Sequence, residues 1–166
     1  MVALIAVFWA VPERTPVPVA SGAVRAPWGQ HHSDSGGYRF SAPARWSARE
    51  ARSVSTVRSP GRDVVVSFGR APDGSLAEAS DALVDSIRDR YGIVRVVGID
   101  RSSIGGLPGA VVAGSTRNRA GVAVRFAAVA VQGTEANFAI IVFTAEDAEP
   151  GLRRITERIL ASFRVI

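Results

Sequence analysis

Both histidines of the chain stand together in His31-His32-Ser33-Asp34, and two imidazoles beside a carboxylate are metal-ligand types. They fall in a stretch of prolines, glycines and serines, where adjacent side chains hold no fixed geometry, so no metal and no cofactor is expected. The glycine-rich run from Ser102 to Gly114 raises the question of a phosphate cradle. A phosphate loop of the G-x-x-x-x-G-K-[ST] type needs a lysine and a helix starting directly after the glycines. The chain has no lysine, and Gly109 is followed by Ala110-Val111-Val112-Ala113, a strand pattern. Gly105 to Gly109 therefore reads as a turn between two antiparallel strands, with glycine supplying positive φ and Pro108 an extended entry.

Acid-base chemistry would fall to Asp63, Asp73, Asp100 and Glu135, all expected at strand ends where a cleft could gather two of them. No G-x-S-x-G elbow is present and no histidine accompanies a nucleophile, so no catalytic residue is assigned and the chain is read as not an enzyme. A carboxylate-dependent hydrolase ranks last among the readings. Arg117, Arg119 and Arg125, with Phe126 beside them, read as the solvated rim of a turn or, alternatively, as the candidate patch for an anionic partner. Anionic lipid or an acidic protein is favoured there over nucleic acid, which wants a basic stripe with interleaved aromatics.

These residues need elements to hold them. A chain of 166 residues, 47% hydrophobic, makes one globular domain plus a tail. Its twenty basic residues are all arginine, a pattern of codon bias more than of a selected surface, so the net charge of +5 says little about partners. With no cysteine there is no disulfide, no thiolate nucleophile and no acylated cysteine. Residues 1–11 are uninterruptedly apolar, about half of the roughly 20 that a membrane helix needs. They lack the basic start of a signal peptide and are read as the downstream end of a membrane segment. Residues 12–37, with Pro12, Pro16, Pro18 and Pro27, read as a linker, and 38–166 as a single domain.

Within that domain, Tyr38 and Phe40 alternate with polar neighbours as a strand does, and Asp63 to Ala71 is β-branched and aromatic between turn signals. Ser75 with Glu78 three residues on is a capping box, followed by Leu76, Leu83, Val84, Ile87 and Tyr91 at helical spacing and Gly92 as a stop. Asp81, Asp85 and Asp89 recur on another, solvated face. Four strand-like runs follow, near 93–104, 110–118, 122–132 and 137–145, then a second helix with Leu152, Ile155, Ile159 and Phe163 as its stripe. The later strands are apolar on both faces, which requires cover on both faces. The expected class is α+β: an antiparallel meander covered by helices on both faces.

The order Tyr38, Phe40, Pro43, Trp46, then a long helix, a hairpin around Ile104 to Ala110, a meander, and a final helix into Ile159 to Phe163 resembles the PsbP-like α/β/α sandwich superfamily over about Tyr38 to Ile166. The arginine-rich, lysine-free composition is most similar to its actinobacterial envelope branch of lipoproteins and membrane-anchored proteins, although the cysteine that a lipoprotein acylates is absent. The resemblance implies a non-catalytic binding or accessory module. Together with the apolar start and the proline-rich spacer it is read as an extracytoplasmic accessory or protein-interaction module, tethered to the cell membrane through its N-terminus, with a protein or envelope component as partner. The alternatives are a small-ligand or lipid carrier with a pocket lined by Phe138 or Tyr91, and a cytoplasmic location.

Overall fold

The computed structural model describes residues 27–166. Ten strands and two helices follow one another along them: β1 Trp28–Ser33, β2 Tyr38–Pro43, β3 Ser47–Ala51, β4 Val54–Arg58, β5 Val64–Arg70, α1 Leu76–Tyr91, β6 Val94–Ile104, β7 Leu107–Arg117, β8 Ala123–Gln132, β9 Asn137–Ala145, α2 Pro150–Ala161 and β10 Arg164–Val165. A seven-stranded sheet runs β3-β4-β5-β9-β8-β7-β6, and β1-β2-β10 form a second, smaller sheet; every pairing is antiparallel. The expected α+β class with a covered meander is what forms.

Side-chain alternation divides the large sheet between two cores. Val64, Val66, Phe68, Phe138, Ile140, Val142, Val129 and Val131 face α2 and the small sheet, meeting Leu152, Ile155 and Ile159 of the helix and Tyr38 and Phe40 of β2. On the opposite face Val112, Phe126, Ala128, Ile141 and Phe143 receive Ala79, Leu83, Val84 and Ile87 of α1. One face is thus covered by a helix alone and the other by a helix together with three strands. β9, central and buried along nearly its whole length, feeds both cores, which is why its sequence is apolar at odd and even positions alike.

The helix signals act as their chemistry requires. Ser75 Oγ accepts the N–H of Glu78 at 3.2 Å, while Glu78 Oε2 accepts the N–H of Ser75 at 2.8 Å. Gly92, at φ 75°, closes the other end with its N–H on the Arg88 carbonyl. In α2 the first turn opens on Pro150, and Arg158 lies across the ring of Trp28 with its guanidinium carbon 4.2 Å from the centroid.

Two parts of the architecture differ from the sequence expectation. The stretch 12–37 was expected to be linker throughout; residues 12–26 lie outside the described residues, but Trp28–Ser33 is a strand in register with β2, His31 opposite Phe40. Its imidazole stacks on the Phe40 ring at 5.1 Å, so polar and aromatic surfaces do the covering that β-branched residues usually do. The β3–β4 hairpin was not expected at all. Its turn is made by Arg52 and Ser53, both at positive φ (50° and 62°), where asparagine or glycine is the usual signal, and β3 is exposed along its whole length.

Tyr38 ties the two sheets together. Its hydroxyl donates to the Phe68 carbonyl at 2.9 Å and accepts the N–H of Ser55 at 2.9 Å, and burial pushes the phenol up from its ordinary value.

Candidate interaction surface

The glycine-rich run resolves into a two-residue hairpin turn, Gly105-Gly106, with φ 61° and 88°, closed by the pair Ile104 and Leu107. Leu107 and Pro108 already belong to β7, so the turn is shorter than the five residues the sequence pointed to. A Cβ placed on Gly105 would lie 2.1 Å from the Phe163 carbonyl oxygen. The tip is seated on the chain leaving α2, and strand follows it directly.

The histidines occupy successive positions of β1 and so point to opposite faces. His31 is half-buried against Phe40, whereas His32 is exposed, with Nε2 3.6 Å from Asp34 Oδ1. Among the described residues no three His, Cys, Asp or Glu side chains gather where a metal would sit. Burial holds the His31 imidazole below its ordinary value of 6.5. The unfolded chain therefore takes up this proton more readily than the folded one, and the sign follows: the His31 contribution is present above the ordinary value and is lost as pH falls from there through the lowered value of the folded state. Thermal melts between about pH 8 and pH 5 are expected to show a steeper acid-side loss of Tm for the native chain than for His31→Asn. Parallel Tm curves would refute the assignment.

The four carboxylates fall at three places on the large sheet. Asp63 precedes β5, its carbonyl accepting the N–H of Ala145. Asp73 and Glu135 lie in the loops at the other end of β5 and β9, and Asp100 sits in the middle of β6 opposite Val111, correcting the expectation that it ends a strand. Phe138 and Tyr91 belong to different faces of the sheet: Phe138 is enclosed by the rings of Tyr38 and Phe163, and half-buried Tyr91 meets Phe143 edge-on.

Of the three arginines, Arg117 and Arg125 point to the same face of neighbouring strands, since Ser115 opposes Arg125 and Arg117 is two residues further on. Each is steadied by a backbone carbonyl, Arg117 Nη1 by Gly121 at 2.6 Å and Arg125 Nη2 by Glu146 at 2.7 Å. Arg119 lies in the turn that Asn118 organises by accepting the N–H groups of Ala120 and Val122, and its charge reaches Tyr91 at the end of α1.

The most exposed apolar surface is one the sequence did not single out. β6 is the outer strand of the large sheet, eleven residues long, and α1 covers only its start near Val94. Ile93, Val97 and Ile99 are 88%, 76% and 66% exposed, with Val96 beside them at 40%. A bulge sits among them: Val96 opposes Gly114 and Gly98 opposes Ala113, leaving Val97 without a counterpart on β7. The other outer strand, β3, has five residues, Ser-Ala-Arg-Glu-Ala, and carries no large apolar side chain. Charged, short edges resist pairing, while long apolar ones invite it. Four of the six residues from Val94 to Ile99 are branched aliphatics, as in an inner strand, so the exposure of this stretch became visible only with the strand order.

No protein-family model matches the chain, and a search of curated proteins returns no match. Among solved structures the chain is similar to the cyanobacterial PsbP, CyanoP, of Synechocystis, with a TM-score of 0.63 and 15% identity over 92% of this chain and 98% of that one. It is also similar to the Ran-binding protein Mog1p of Saccharomyces cerevisiae, with a TM-score of 0.58 and 11% identity over 84% of this chain and 96% of that one. LpqN of Mycobacterium tuberculosis, involved in cell envelope biogenesis, is a third, with a TM-score of 0.53 and 14% identity over 89% of this chain and 96% of that one. At these identities the likeness shows the fold alone, which is PsbP-like.

Proposed function

We propose that this PsbP-like domain is a non-catalytic accessory module that works by protein contact, tethered at the cell membrane through its N-terminus with the domain on the extracytoplasmic side. The observation that carries the contact reading is the open β6 edge, with Ile93, Val97 and Ile99 in solvent beside unpaired strand. Large exposed apolar clusters on a folded domain mark surfaces meant to be covered. A similar fold serves a Ran-binding protein, and another an envelope-biogenesis protein, which supports contact and envelope location without naming a partner. The tether rests on the apolar run 1–11 and the proline-rich stretch after it; among the described residues no helix is long and apolar enough to cross a membrane. Arg117 and Arg125, sharing one face, would add attraction to an acidic partner or an anionic lipid surface.

A photo-reactive residue at position 97 tests the contact reading in the host. It is expected to give a discrete adduct in the membrane fraction, while the same probe at Ala48 on β3 gives none. Absence of any adduct from position 97, or recovery of the chain wholly with the cytosol, would count against the proposal.

A further inference from the structure

The bulge in β6 gives the strand a symmetry that its sequence conceals. In a regular strand, residues five apart such as Arg95 and Asp100 point to opposite faces. Here the extra residue Val97 resets the alternation. Arg95, Gly98 and Asp100 oppose Ser115, Ala113 and Val111 of β7, and Val111 packs toward the α2 core. Val94, Val96 and Ile99 oppose Thr116, Gly114 and Val112, and Val112 belongs to the α1 core. Arg95 and Asp100 therefore share one face of the sheet, and Val96 and Ile99 share the other.

A two-fold axis perpendicular to a sheet keeps each face on its own side, so two copies of one strand pair antiparallel only if opposed residues belong to the same face. The pairs flanking the bulge meet that condition in the register that sets Arg95 against Asp100. In that register Val96 falls against Ile99, both on the α1 side, and Val97 and Gly98 lie at the axis. The charges are complementary under reversal of the strand: each Arg95 meets an Asp100, twice over, on one face, while the apolar pairs repeat on the other. Opposite charges set directly across a strand pair stabilise it, and like charges destabilise it.

From the self-complementary charges and the face-matched apolar pairs, we propose that the β6 edge is covered by β6 of a second copy of this chain, joining the two large sheets into one across a two-fold axis. The proposal rests on the contact reading of the same edge and names its occupant. It also accounts for why β6 keeps exposed Val97 and Ile99 where β3, the other edge, carries only small and charged residues.

The chain has no cysteine, so single cysteines are clean reporters. In the full chain in mild detergent, Val97→Cys is expected to form an intermolecular disulfide under gentle oxidation, and Ala48→Cys is not. Adding Arg95→Asp or Asp100→Arg to Val97→Cys should each lower the yield by about tenfold, because two attractive pairs become two repulsive ones. Combining both swaps should restore the yield, since the pairs are then attractive with the signs reversed. Both side chains are exposed, and circular dichroism confirms that each variant is folded. No disulfide-linked dimer from Val97→Cys, or yields indifferent to the single and double swaps, would overturn the proposal. A photo-adduct at position 97 to a different protein, together with no dimer, would sink the second copy while leaving the contact reading intact; no adduct of either kind would sink both.

Discussion

Phe68→Ala is expected to destabilise the domain by about 3–5 kcal/mol, a large share of the roughly 5–15 kcal/mol that holds a domain of this size. Phe68 is fully buried at the junction of the two sheets and α2. Its ring stacks on Phe40 of β2 at 4.0 Å and 14°, and on Phe163 beyond α2 at 5.9 Å and 5°. Truncation leaves a void that three separate elements line, and none of them can collapse into it alone: β2 is tied by Tyr38 to the backbone of Phe68 and Ser55, and Phe163 is anchored between α2 and β10. Urea unfolding measures the loss as a lowered midpoint at unchanged slope. A cost below about 1 kcal/mol would mean that the small sheet and α2 are not packed as described.

Gly105→Ala is the second large effect, and Gly106→Ala is its internal control. Both glycines take positive φ, which costs a residue with a Cβ about 1–2 kcal/mol. They differ in what a Cβ would meet. At Gly106 nothing lies within 4 Å, whereas at Gly105 the Phe163 carbonyl oxygen is 2.1 Å away. The hairpin tip or the end of α2 must then move, adding about 1–3 kcal/mol in the manner of an overpacked core. Gly105→Ala should thus unfold at clearly lower urea than Gly106→Ala. Equal midpoints would show that the tip does not sit against the chain leaving α2.

How much of this was legible in the sequence depends on whether a signal was local. The capping box of α1 and the runs that became β5, β7, β8 and β9 state their conformation within a few residues, and they formed as read. Of the α2 stripe, Leu152, Ile155 and Ile159 lie on the helix, while Phe163 falls beyond its end at Ala161 and reaches the same core from the chain leaving it. The strands that escaped notice draw their stability from elsewhere. β3 has no apolar face because it is an edge; the β3–β4 turn uses Arg52 and Ser53 in place of the usual residues; and β1 is held by the ring of Phe40 and the tryptophan–arginine contact.

The surface divides in the same way. Arg117, Arg119 and Arg125 could be named from spacing, but only the register of β7 and β8 shows that Arg117 and Arg125 share a face while Arg119 lies in the turn between the strands. The β6 edge was further out of reach. Its apolar residues look like those of an inner strand, and neither the strand order that exposes them nor the single extra residue that realigns Arg95 with Asp100 is a property of any short stretch.

Thiol alkylation of Val97→Cys, in the host and in dilute purified protein, tests most directly that this domain works by covering its β6 edge. Ala51→Cys on β3 corrects for differences in reagent access between the two settings. In dilute solution both thiols should react quickly, since both positions are exposed. In the host the thiol at position 97 should become much slower relative to that at 51, whether a second copy or another protein covers it. A ratio unchanged between the two settings would mean that the edge stays bare where the protein acts, and would contradict contact through β6 as its function.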